Sequence, residues 1–421
     1  MNGSSGTLSP DGRWLQPFLI VWGTQTASLF GGGMVQFALI WWLASMSGSA
    51  SLVSLAAAIV LLPRILLNPF IGALVDRCSR RTVMIAAAAT IAMCSFFLAT
   101  LFLAGTVRDW QVLLVLLIRS SADTFHTKAM AASTSLMVPG AQLTRIAGIN
   151  QALTGIILFV TPALGALLLK ISSFVTVMAF DAAGAILAVT PLLFILIPEV
   201  RNRLNNTEPP GRIRIAADVA EGVRYLRNWP GALGMLALSA AMNFVMQPYF
   251  SLIAIFVKNR LHGGELEFGL LGALVGLGFL VGGVTLGIWQ GHSRRMVTSL
   301  LGMAAAGLSV IATGFAGAQG IAAVLLCFFS AGFAMPFCMG PIQALIQGTV
   351  RGDMQGRVFS IMESVSTSAS PLSLLAAGRI FDSFGPEIWY WGGGAAAIAV
   401  AVYGLLDRRI RNLGAAECSP A

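Results

Sequence analysis

Apolar residues run along this 421-residue chain in blocks of twenty or more, separated by short polar stretches. Twelve blocks can be marked, at about 15–44, 50–74, 82–105, 110–130, 146–171, 174–197, 232–257, 267–290, 296–318, 320–346, 357–381 and 387–406. A helix rises about 1.5 Å per residue, so about 20 apolar residues cross a hydrocarbon core of about 30 Å with the backbone paired inside the segment. The pattern predicts an all-α polytopic membrane protein of twelve transmembrane helices. Gly31-Gly32-Gly33, Pro63 and Pro162, inside the blocks, predict kinks or close helix contacts rather than breaks.

The longest polar stretch divides the twelve into six and six. It predicts an N-terminal leader over 1–14, a six-helix bundle over 15–197, a linker over 198–231, a second bundle over 232–406 and a tail over 407–421. Within the linker, Ile213, Ala216, Val219, Ala220, Val223 and Leu226 interleave with Arg212, Asp218, Glu221, Arg224 and Arg227 at helical spacing. That suits an amphipathic helix on an anionic membrane surface. Ser79-Arg80-Arg81 recurs as Ser293-Arg294-Arg295, and the stretch ending at Arg145 is loosely matched by the one ending at Arg357. Both matches fall at the same place in each half. They predict two six-helix pseudo-repeats, with a substrate site between them.

Composition agrees, with 57% hydrophobic and 10% charged residues, and the net charge of +9 is explained by where the cations lie. With the N-terminus inside, 18 of 26 Lys and Arg fall in inner loops and tails. Only Arg108, Lys170, Lys258, Arg260 and Arg379 fall outside, while Arg64, Arg119 and Lys128 lie within segments. This asymmetry predicts both termini in the cytoplasm and replaces a nucleic-acid partner with the lipid bilayer. The leader MNGSSGTLSPDGR has no cleavage pattern, so the first helix is expected to be retained. Five cysteines, an odd number in membrane or inner positions, predict no disulfide framework. His126, His262 and His292 lack metal-ligand spacing and no phosphate-binding loop is present, so no cofactor, metal or enzymatic activity is expected. Transport would draw on an ion gradient or on the substrate's own.

One stretch, LLIRSSADTFHTKAM, sets Arg119, Asp123, His126 and Lys128 in ten positions of the fourth segment. A charge at mid-membrane costs roughly 3 kcal/mol, so it persists where it faces a bundle interior or a wet cavity. Helical phase puts Arg119, Asp123 and His126 on one face and Lys128 on the opposite side. Three readings stand: Arg119 and Asp123 neutralise each other structurally, the face couples transport to protons, or it binds the substrate directly. Candidate proton carriers are Asp123, as Arg119's neighbour, with Asp181 and Glu363. Asp181 could equally be a packing group, and Glu363 a site for a cationic substrate group or a bond across the halves.

The stretch GALVDRCSRRTVM resembles the loop signature of the major facilitator superfamily through Gly72, Leu74, Asp76, Arg77, Arg80 and Arg81, with Ser79 in place of a glycine. The resemblance implies that fold, and for the loop a cytoplasmic latch between the halves. Gly148, Pro162 and Gly165 resemble the superfamily's antiporter motif in the fifth helix. Arg119, Ser120, Phe125, His126, Thr127, Val138, Pro139, Gln142, Leu143, Gly148 and Gln151, with QGRVFS at 355–360, resemble its macrolide-efflux and enterobactin-exporter branch. That implies export of an amphipathic small molecule across a bacterial cytoplasmic membrane, driven by proton entry, with Arg119 tied to coupling. A monomer is expected. The rival readings are export of an endogenous siderophore or metabolite and, more distantly, a membrane receptor that transports nothing. The superfamily arrangement would line a cavity with Trp22, Gln25, His126, Asn243, Gln247, Tyr249, Phe333 and Phe337.

Overall fold

The computed structural model describes residues 14–75, 78–139, 142–195, 224–227, 232–289, 291–292, 294–317, 319–350 and 355–411. Its first six helices are α1 (Leu15–Ser47), α2 (Ala50–Val75), α3 (Arg80–Ala104), α4 (Asp109–Met137), α5 (Leu143–Ile171) and α6 (Phe174–Phe194). The second half holds α7 (Ala232–Ser251), α8 (Ile253–Asn259), α9 (Glu265–Trp289), α10 (Arg295–Ala316), α11 (Ile321–Thr349), α12 (Gln355–Ser368), α13 (Ser370–Phe384), α14 (Pro386–Leu406) and the short α15 (Arg408–Arg411).

Helix occupies each of the twelve predicted segments, and the departures have local causes. The seventh segment is two helices, α7 and α8, meeting at 43°. Pro248, inside α7, removes an amide donor one turn before the break. The eleventh is split into α12 and α13 at Ala369, with Pro371 in the first turn of α13. The fourth runs on to Met137, seven residues past its predicted end at 130, because Ala131, Ala132, Leu136 and Met137 are good helix formers and the Ser133 and Thr134 hydroxyls bond carbonyls of the preceding turn. Among the described residues nine helices are long and apolar enough to cross a membrane, or ten with the bent pair. Of the linker, residues 224–227 are helical and Leu226 is buried in the core. The rest of the expected amphipathic helix lies outside the described residues.

Several helix ends are written into the sequence. Gly48 and Gly105 close α1 and α3 in the left-handed region, at φ 62° and 65°, where a Cβ would be strained. Ser173 caps α6 by accepting the Thr176 amide at 3.4 Å.

The two halves meet through α5 against α9 and through α2 against α12 and α13. In each case the fifth helix of one half meets the second of the other, as a two-fold axis between repeats requires. The α5–α9 contact is made by glycine. A Cβ on Gly272 would lie 2.9 Å from Pro162 Cβ, one on Gly269 2.8 Å from Pro162 O, and one on Gly276 would strike the backbone of Phe159. Gly278 and Gly282, further along α9, bring it as closely onto the backbone of α11 at Phe333. Small residues let helices approach without a loss of van der Waals contact, which is what holds helices together in lipid.

The repeat also shows in how the arginine pairs are used, the second arginine of the later pair making the bond that the first makes in the earlier one. Arg80 Nη1 donates to Ala132 O of α4 at 3.2 Å, and Arg295 Nη1 donates to Ala344 O of α11 at 2.9 Å. Both carbonyls stand five residues before their helix ends, at Met137 and Thr349. Arg81 Nη2 adds a bond to Leu193 O of α6 at 2.7 Å. Cations here complement the negative ends of the helix dipoles.

Candidate functional site

Arg119, Asp123, His126 and Lys128 of α4 go to four different neighbours. Arg119 Nη1 donates to Asp181 Oδ2 of α6 at 2.7 Å, to Ser95 Oγ of α3, and to Ile91 O at 3.3 Å. Ser95 Oγ also donates to Asp181 Oδ2. The Asp181 side chain is 0% exposed and that of Arg119 10%. Asp181 Oδ1 has no hydrogen-bond partner.

Asp123 corrects an expectation. Its neighbour is Arg64 of α2, at 3.9 Å, with both side chains far more exposed, and Arg119 is balanced by Asp181 instead. The i+4 spacing put Asp123 beside Arg119 on the helix surface, but α6 presents a carboxylate to the buried side while α2 draws Asp123 outward. His126, also buried, shares Gln25 Oε1 of α1 at 2.7 Å, and Gln25 Nε2 donates to Ala188 O of α6 at 2.9 Å. Lys128, expected on the opposite side of α4, comes within 4.0 Å of Glu363 on α12, linking α4 to the other half.

The energies rank these pairs. The exposed ones contribute about 0–1 kcal/mol. Removing one partner from a buried pair costs about 3–5 kcal/mol, because a charge is left without compensation. The Arg119–Asp181–Ser95 group is therefore the polar centre of the first half.

The triple glycine makes room for it. A Cβ on Gly31 would lie 2.9 Å from Asp181 Cα and 3.1 Å from Oδ1, and one on Gly33 2.9 Å from Thr161 Cγ2 of α5. Gly31 thus seats α1 on α6 at the carboxylate, and Gly33 seats it on α5. The unpaired Oδ1 faces this glycine backbone.

The expected cavity residues separate by half. Trp22 donates to Asn150 Oδ1 at 2.7 Å, one turn along α1 from Gln25, the partner of His126. Asn243 bonds back to Ser239 O of its own helix and Gln247 Nε2 lies 3.3 Å from Ser251 Oγ. The Phe333 and Phe337 rings lie tilted to each other along α11 at 5.3 Å, and Phe337 is 6.2 Å from Trp289 of α9, which places Phe337 in a helix contact. Tyr249 is wholly buried against Phe328 at 4.5 Å, its hydroxyl 2.8 Å from Thr313 Oγ1, and lines no cavity.

Of the antiporter-motif residues, Pro162 faces the α9 glycines, Gly165 packs under Phe37 of α1, and Gly148 is exposed with nothing near it. Of the latch residues, Asp76 and Arg77 lie outside the described residues, Gly72 is in α2, and Arg80 and Arg81 bond helix ends of their own half. Sequence reasoning missed Ser95, which carries no signal beyond being a lone hydroxyl in an apolar helix. It also missed the α9 glycines, whose spacing of three and four was a readable stripe.

A family model, described as the Major Facilitator Superfamily, matches residues 21–373 and, again, 235–411. The chain belongs to the Major Facilitator Superfamily. Macrolide efflux protein A of Streptococcus pyogenes is 30% identical over 401 residues, covering 95% of this chain and 98% of that protein. Multidrug efflux pump Tap of Mycobacterium tuberculosis is 25% identical over 416 residues, covering 96% and 95%. A bacterial homologue of the human lysosomal transporter Spinster, inward-facing and unoccupied, superposes with a TM-score of 0.72 at 14% identity over 98% of this chain and 100% of that one. A D-xylose–proton symporter does so at 0.66 and 15%, over 93% and 97%. At such identities these two structures speak for the fold. This facilitator is a multi-pass efflux transporter of small molecules.

Proposed function

We propose that this facilitator exports amphipathic, macrolide-like molecules across a bacterial cytoplasmic membrane in exchange for protons, as a monomer with both termini inside, by alternating access. The relative named for macrolide efflux spans nearly the whole chain, and its name supplies the substrate class. One observation carries the coupling: the buried Arg119–Asp181 pair, with one carboxylate oxygen left without a partner. A proton on Oδ1 would neutralise Asp181, weaken its hold on Arg119 and free the guanidinium to turn to other acceptors. Repacking α4 against α6 then accompanies proton binding. Asp181 is in this reading the proton carrier, Arg119 the group that senses it, and Gln25 with His126 a polar pair two turns along α4. Asp123 and Glu363, both about half exposed and only loosely paired, are left free for a cationic substrate group.

The test is purified protein in liposomes loaded with a radiolabelled macrolide. An imposed pH gradient should accelerate its transport, and Asp181→Asn should remove the acceleration while leaving downhill exchange. Equal rates with and without the gradient in the unaltered protein would refute proton coupling. Expression in a host lacking its main efflux pumps tests the substrate class. Unchanged macrolide resistance together with altered siderophore release would favour export of an endogenous metabolite.

A further inference from the structure

The end of the bundle opposite the termini is closed by bonds between the halves, and these converge on one turn. Gly48 ends α1, and its carbonyl accepts from Asn259 Nδ2, at the end of α8, at 3.0 Å. Two residues on, the amides that open α2 turn to Asp382 in the last turn of α13. Ala50 N donates to Oδ1 at 2.7 Å, Ser51 N to Oδ2 at 2.9 Å and Ser49 Oγ to Oδ2 at 3.1 Å. Helix α2 is therefore capped by a carboxylate from the other half.

The chemistry is complementary at both contacts. The first amides of a helix have no partner within it and carry its positive dipole end, which suits a carboxylate. The last carbonyls of α1 are the negative end and receive an amide donor. Below the clasp α2 and α13 are already in contact, since a Cβ on Gly378 would lie 2.9 Å from Ser51 Cα. Release leaves one cap in place, because Ser49 Oγ already accepts from the Leu52 amide at 3.4 Å and goes on capping α2 from within when Asp382 leaves. A bond set that is good when closed, and that leaves α2 still partly capped when open, is what a reversible lock needs.

We propose that Asp382 and Asn259 form the lock of this end, positioning residues that hold α2 and α1 to the second half and must let go for the end to open. The inference rests on the alternating-access reading above. Spin labels at Met46 and Ile388, both exposed near this end, report its opening in a chain whose native cysteines are replaced. A second pair at Leu15 and Leu233 reports the terminal end. In lipid nanodiscs, Asp382→Asn and Asn259→Ala should each raise the long-distance fraction at the first pair, roughly tenfold for Asp382→Asn. The second pair should shorten, with the thermal midpoint little changed. Wild-type distance distributions in a folded Asp382→Asn or Asn259→Ala protein would overturn the lock while leaving alternating access intact. A single unmoving population in the unaltered protein, with or without a macrolide or a pH step, would overturn both.

Discussion

Arg119 and Asp181 lie 62 positions apart and meet at 2.7 Å, joining α4 to α6 where α1 has only glycine to offer. The pair depends on both charges. Asp181→Ala strands a guanidinium in the bundle interior and is expected to destabilise the protein by about 3–5 kcal/mol, read as lost yield and a lower unfolding midpoint in detergent. Asp181→Asn keeps the shape and should lower gradient-driven transport at least about 100-fold. Asp123→Asn, by contrast, should leave both stability and coupling within about threefold of the unaltered protein. A larger coupling defect for Asp123→Asn than for Asp181→Asn would reverse the assignment.

Gln25 and His126 form one unit rather than two contacts. Replacing either by alanine leaves a buried polar group of the other unsatisfied, at about 1–3 kcal/mol. Because the loss is shared, the double variant should be less destabilised than the sum of the singles, with an interaction of about 0.5–3 kcal/mol in a thermodynamic cycle. Strict additivity would mean that the 2.7 Å contact contributes nothing.

The glycines of α9 separate by face. Gly276→Ala drives a methyl into the backbone of Phe159 and is expected to cost about 1–3 kcal/mol and loosen the contact between halves. Gly283→Ala, on the same helix with open space around it, should be neutral or slightly stabilising. Thermal unfolding of the two variants side by side distinguishes backbone contact from a general intolerance of α9 to substitution.

Arg81 and Arg295 stand in different halves and hold carbonyls near helix ends. Each alanine variant should cost about 0.3–1 kcal/mol, and the double variant their sum. A double variant much worse than additive would show that the two ends communicate.

Most of the architecture was legible because lipid leaves a chain few choices. Each apolar block became helix, and the breaks at Leu252 and Ala369 fall beside prolines already visible in the sequence. Arg119 was legible for the same reason, since a cation in an apolar run stands out. Its partner was not. Sequence spacing reports neighbours on one helix, so it offered Asp123 at i+4, whereas the choice between Asp123 and Asp181 is made by which helix packs on the buried side of α4. Phe333 and Phe337 were read as cavity walls because aromatic residues suit a ligand and a helix contact equally. What decides between those is the neighbouring helix, since the Phe333 backbone lies on Gly278 and Gly282 of α9 and the Phe337 ring lies near Trp289.

That glycine surface has a mechanical side. Where helices mesh through side chains, turning one against the other forces knobs out of holes and side chains into new rotamers. At Gly276, Gly278 and Gly282 of α9 the neighbours α5 and α11 meet backbone against backbone, and at Gly269 and Gly272 only the small Ala166 and Pro162 side chains of α5 enter, so there are no long knobs to withdraw. A contact of this kind works as a plain bearing: it fixes the distance between two shafts and leaves their angle adjustable.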